Sequence, residues 1–178
     1  MASPVFSHLM GTLTLLGVMV ILIGVFLAIQ FIITLEIQNV RLSEVAETTA
    51  REIVELVSVY TLGGGNFSYM YLTVPQTIGG QAYDIRLENA GEGKIIVRVR
   101  LQIYEQTRVV VTPNFGENPV NVIANDTVID NIRVSPEILL PAPEYSLNGH
   151  RVRGKPIIVA FREGEKIYVG LSIIYHQG

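Results

Sequence analysis

The chain has 178 residues, with 13 Lys and Arg against 16 Asp and Glu, no cysteine, and a mean hydropathy of +0.39. The missing cysteine excludes a disulfide framework and thiol chemistry. A slight acidic balance without a basic run excludes an electrostatic footprint for nucleic acid.

The hydropathy has one main source. From Val5 to Leu35 there is no Asp, Glu, Lys or Arg, and the first charged side chain after the run is Glu36. A bilayer's hydrocarbon needs about 20 apolar residues in a helix, and this run exceeds that. It is too long for the apolar region of a secretory signal, and no Lys or Arg precedes it. The pattern then narrows to one face. Leu42, Val45, Ala46, Thr49, Ile53, Leu56, Val57 and Tyr60 recur at three- and four-residue steps, with Glu44, Glu47, Arg51, Glu52 and Glu55 on the other side. No Pro or Gly occurs between Gly24 and Gly63. The spacing predicts one helix from Val5 to about Tyr60, roughly 85 Å long at 1.5 Å per residue. Gly63, Gly64 and Gly65 should stop it and supply a hinge. Such a stem must be covered by lipid or by other copies of itself. Gly11, Gly17, Gly24 and Ala28, with Phe31, are the positions at which helices would pack closely in a filament core.

After the glycines the period changes to two. KIIVRVRLQIY, EKIYVGLSIIY, QAYDIRLE and TVIDNIRV each alternate, and SYMYLTV, TRVVVT and PIIVAF are further strand candidates. The turn signals are Gly79-Gly80, Asn89 to Gly91, Pro113-Asn114, Asn148-Gly149 and Glu163-Gly164. The fold class expected is therefore α+β. Residues 1–62 form the long apolar helix and 63–178 an antiparallel β-sandwich of immunoglobulin-like kind. From Thr61 onward Lys and Arg balance Asp and Glu, so the net charge of −3 resides in Glu36 to Tyr60. If stems pack together, Glu44, Glu47, Glu52 and Glu55 should meet cations, with Arg98, Arg100 and Arg108 as candidates.

Catalytic motifs are not expected. Gly149 to Lys155 has the spacing of a phosphate-binding loop, but Pro156 replaces the Ser or Thr that would hold magnesium and a strand follows, so it reads as a hairpin turn. His8, His150 and His176 lack metal-ligand spacing. The pairs Asp84/Glu88 and Asp126/Asp130 read as solvated strand edges. No cofactor, metal or catalytic residue is expected. Asn66-Phe67-Ser68 and Asn125-Asp126-Thr127 are N-glycosylation acceptors.

A charge-free N-terminal helix, its amphipathic continuation and one β-domain together resemble the archaeal type IV pilin superfamily. The segment Val74-Pro75-Gln76-Thr77-Ile78-Gly79-Gly80-Gln81-Ala82-Tyr83-Asp84-Ile85 is similar to the one that often opens the β-domain of crenarchaeal pilins, and Met10-Gly11-Thr12-Leu13 resembles the start of archaellin helices. The family's precursors carry a short basic segment that a dedicated peptidase removes. Met1-Ala2-Ser3-Pro4 contains nothing basic, so either the numbering starts at the mature residue or this member is unprocessed. The Glu near the mature start of many bacterial pilins is missing, as is usual for the archaeal branch. The resemblance implies a homopolymeric surface filament for adhesion, held in the cytoplasmic membrane before assembly. Its partners would be an assembly ATPase, a membrane platform, the prepilin peptidase and a surface or glycan target. An archaellin is the alternative within the family. A single-pass anchored module binding carbohydrate or another ligand, through exposed Tyr69, Tyr71 and Tyr168, is the alternative outside it.

Overall fold

The computed structural model describes residues 4–63, 65–103, 105–115, 120–147 and 150–175. The first element is a helix, α1, running unbroken over Pro4–Gly63. Three threonine hydroxyls inside the apolar run bond back to the helix: Thr12 Oγ1 donates to the His8 carbonyl at 2.6 Å, Thr14 to Met10 at 2.8 Å and Thr34 to Gln30 at 2.8 Å. These polar side chains are thus satisfied without water. Gly63 ends the helix as expected, and neither Gly63 nor Gly65 takes a left-handed φ. Gly64 lies outside the described residues.

By compactness the chain divides into residues 1–38 and 39–178. The division falls inside α1, well before its end, because the lower helix is built into the β-domain's core. Every residue of the stripe from Leu42 to Tyr60 is buried, with Ala50 added to it. Glu52, expected on the polar face, is also buried. It borders Ile53 and stands four residues before Leu56, and both of its carboxylate oxygens accept the Thr73 N–H at 3.2 Å.

Antiparallel β-sheets make up the rest. One four-stranded sheet has the order β1(Phe67–Tyr71), β11(Lys155–Glu163), β12(Lys166–Ile174), β5(Val120–Val122). The other has the order β4(Thr107–Val111), β3(Lys94–Leu101), β2(Tyr83–Gly91), β8(Glu137–Leu140). Two hairpins complete it: β6(Thr127–Ile129) with β7(Ile132–Val134), and β9(Glu144–Leu147) with β10(His150–Arg153). The three-residue pairing of β5 with β12 is parallel, a departure from the expected antiparallel pattern.

Alternation decides which side chains enter the core. Ile85 and Leu87 of β2 lie opposite Val99 and Val97 of β3, and all four are buried. They join Ile158, Ala160, Val169 and Leu171 of the other sheet and Leu42, Ile53 and Tyr60 of the helix in one apolar cluster. Tyr83 is fully buried and its hydroxyl donates to the Pro75 carbonyl. Because β11 is buried on both faces, Ile157 and Val159 form a second cluster with Ile123 and Val134, beside Ile129 and Ile132 of the β6–β7 hairpin. There β7 comes close to β12 at Gly170, where an added Cβ would stand 2.4 Å from Val134 Cγ1.

Two readings need correction. Residues 127–134 are not one strand, since Asp130 and Asn131 take φ of 50° and 63° and turn the chain. Both residue types tolerate that conformation, and two consecutive positive-φ residues are the mark of a tight hairpin turn. The segment read as a hairpin turn before Lys155 holds the strand β10, and Gly154 links it to β11. Glycine is required at 154 by proximity, since a Cβ would stand 2.2 Å from Ile173 Cγ2. Asn148 and Gly149, and with them the start of that phosphate-loop spacing, lie outside the described residues.

Candidate assembly and membrane surface

The apolar half of α1 is the surface that most needs a function. Its most apolar window has no buried residue, and by length and composition it is the one described helix able to cross a membrane. The exposure goes all the way round: Leu15, Val20, Leu27 and Ile32 are as open as Leu13 and Ile21. Leu15 is 69% exposed and Phe31 56%. At Gly11, Gly17 and Gly24 an added Cβ would meet nothing within 4 Å. Within a single chain, then, the residues expected to pack in a filament core are all exposed. Moving large apolar side chains from water to apolar surroundings is worth ~1.5–3 kcal/mol each. Leaving this helix bare in water is therefore costly.

The lower helix has a charged outer face. Arg41, Glu44, Glu47, Arg51 and Glu55 are all exposed. None of the stem carboxylates takes part in the ion pairs found among the described residues. The cations proposed for them are engaged elsewhere in two of three cases. Arg98 donates to Glu88 at 2.9 Å, and Arg100 to Asp84 at 3.1 Å. The Arg98 hydrogen bond holds the Glu88 carboxyl below its ordinary range, against an opposing push from partial burial. So Asp84 and Glu88, read as a solvated edge, are cross-strand ion-pair members, and Asp84 is buried. Arg108 is exposed at the start of β4.

Both glycosylation acceptors are exposed at bends. Asn66 directly precedes β1 and its carbonyl accepts the Arg162 N–H at 3.2 Å, while Asn125 lies between β5 and β6 and its carbonyl accepts Thr127 Oγ1 at 3.2 Å.

The tyrosines considered as ligand contacts are largely occupied by one another. On β1, Phe67, Tyr69 and Tyr71 follow at ring distances of 6.2 and 6.0 Å, the second pair edge to face at 88°. Lys155 Nζ stands 5.8 Å from the Tyr71 ring, and Tyr168 stacks on Phe161 at 5.5 Å. Of the histidines, His8 is exposed on the apolar helix and His176 lies outside the described residues. Among the described residues no group of three or more His, Asp and Glu could hold a metal ion. Compared with models of protein families, with curated proteins and with solved structures, the chain matches none.

Proposed function

We propose that this chain is a structural subunit of an extracellular archaeal type IV pilus, with its apolar helices packed together in the filament core and its β-domain, an immunoglobulin-like sandwich, on the outside. One observation carries the reading. The same helix is bare and apolar over its first half and is built into a β-domain's core over its second, with no break between. An ordinary anchor ends at the interface, commonly with Trp, Tyr and basic residues; here no Trp or Lys marks the exit.

In this reading the subunit waits in the cytoplasmic membrane. The assembly ATPase, membrane platform and prepilin peptidase implied by the pilin resemblance deliver it to the filament. Lipid tails are as apolar as leucine, so moving the stem from bilayer to bundle gains only packing. Assembly therefore needs external work. Release of a subunit into water would expose the whole stem, which is why the polymer holds.

The absence of cysteine makes the test clean. In a double variant carrying both Gly17→Cys and Phe31→Cys, mild oxidation of sheared surface filaments should give ladders of disulfide-linked multimers. The same variant diluted in detergent should stay monomeric. Cells that display the protein without filaments, and without multimers beyond chance dimers, would reject the polymer in favour of the single-pass anchored module. Cross-linked filaments that rotate in swimming cells would mark an archaellin instead of an adhesive pilus.

A further inference from the structure

A groove of about 570 Å³ opens beside β8 and the last third of β12. That volume lies within the ~300–1,000 Å³ of small-molecule sites. It arises because the chain changes sheets here. Ser135 is paired with Leu171 of β12 through two backbone hydrogen bonds of 2.7 Å, Pro136 interrupts, and the next residues pair with β2 as β8.

The polar end of the groove is organised before any ligand arrives. Arg133 Nε and one terminal guanidinium nitrogen both donate to Asp126 Oδ2, at 3.1 and 2.5 Å. Ser135 also donates to that carboxylate, while its oxygen accepts the Glu137 N–H at 3.2 Å. The Arg133 carbonyl is fixed by Ser172 Oγ at 2.5 Å. These bonds, Arg133's first, hold the Asp126 carboxyl below its ordinary range. Arg133 has other N–H donors beyond the two used on Asp126, and its side chain is largely exposed. A charged donor and a charged acceptor thus stand side by side at the groove wall.

The lining also includes apolar and ring side chains, Leu139, Pro141, Pro143 and Tyr175. The charged side chains of the lining are Asp126, Arg133 and Glu137. Asp126 is paired with Arg133, and Glu137 lies 3.9 Å from Arg86, which stands outside the lining. Each carboxylate thus has its own guanidinium, which favours a neutral ligand over one that needs an unpaired charge.

We infer that this groove binds a neutral sugar unit of a surface glycan, its hydroxyls on Arg133 and Asp126 and its C–H face on Tyr175 and the prolines. A sugar hydroxyl both donates and accepts, which matches the adjacent guanidinium and carboxylate. The inference gives the adhesive part of the pilus reading a site and a ligand class, and rests on that reading for where the ligand is met.

The test is saturation-transfer NMR on the full chain in a zwitterionic detergent without a sugar headgroup. The probes are neutral hexose di- and trisaccharides, their sulfated counterparts, and an extended apolar peptide. Neutral saccharides should receive saturation, and Arg133→Ala and Tyr175→Ala should each weaken their binding at least tenfold while the β-domain's melting temperature holds. Should Arg133→Ala fail to fold, Tyr175→Ala alone decides. Preference for the sulfated sugars or the peptide, no saccharide binding, or binding indifferent to both substitutions overturns the inference. Micrographs of the same cells separate the two claims: filaments without sugar binding remove the groove's role only, and sugar binding without filaments removes the pilus only.

Discussion

Truncating one apolar side chain in each half of α1 should have opposite consequences. Ile53 is fully exposed to neighbours and not at all to solvent, whereas Leu15 is 69% exposed. Ile53→Ala removes packing against the core shared by both sheets, and such truncations cost about 2–5 kcal/mol. Taking residues 39–178 as the cooperative unit, an unfolding entropy of about 2.1 cal/mol/K per residue gives about 0.3 kcal/mol/K. A loss of about 3 kcal/mol then lowers the melting temperature by about 10 °C. Leu15→Ala should leave that temperature unchanged, since nothing in the β-domain is lost, yet it should weaken filaments. The assay is thermal unfolding of the full chain in detergent, followed by near-ultraviolet circular dichroism of the tyrosines, with filament yield measured in parallel. If Leu15→Ala melts the β-domain as early as Ile53→Ala, the two halves are one stability unit and the division of labour along the helix is wrong.

Gly170→Ala should destabilise the β-domain by about 1–3 kcal/mol through overpacking, because the new Cβ would stand 2.4 Å from Val134 and 2.7 Å from Ile123. Denaturant titration should show part of that loss recovered on adding Val134→Ala. The Glu88 carboxyl is held low in the folded state by Arg98, so its contribution is present above the unfolded carboxylate value and fades as pH falls through the lower, folded one. For a half-exposed pair it is about 0.5 kcal/mol, and stability measured from pH 6 to pH 2 should decline less steeply in Glu88→Gln. Mass spectrometry of native filaments should find hexose-containing glycans on both the Asn66 and Asn125 peptides, and two bare peptides would refute that assignment.

What was readable from the sequence follows from the range of the forces involved. A helix of this length repeats its signal many times, and Leu42 to Tyr60 reported its buried face because one partner surface runs along it. The long strands β2, β3, β11 and β12 run for eight or nine residues; β3 alternates throughout, enough to separate two faces, whereas β11 is an apolar run because it is buried on both. The short elements gave no such repeat. Val128, Asp130, Ile132 and Val134 keep the alternation going through a turn, so the β6–β7 hairpin looked like a strand; the Asp130-Asn131 dipeptide was the available clue. Gly154 resembled a turn glycine, but its reason is the neighbouring Ile173, almost twenty residues later, which no local pattern encodes. Glu52 looked like a surface acid since its partner, the Thr73 N–H, is a backbone group. The groove joins residues 126–143 to 171–175 and is fixed by a sheet change at Pro136, so no motif announces it.

The hydrogen bonds inside the stem explain how one helix can serve in two apolar surroundings. In lipid an unsatisfied polar group costs several kcal/mol, and a bundle core is no more forgiving. Thr12, Thr14 and Thr34 each close their hydrogen bond on the helix itself, so transfer between bilayer and bundle breaks none of them. Apart from the exposed side chains of His8 and Gln30, the exchange then turns on packing, and close packing is governed by the small residues. Gly17→Leu adds a side chain where the isolated chain has open space, so it should leave the fold and membrane insertion intact while holding neighbouring helices apart. Fractionation should find the variant in the membrane at the normal level, with filaments absent or of altered diameter. Normal filaments from Gly17→Leu would mean that the glycine face is not where the helices meet, and that the stem's contacts lie on another side.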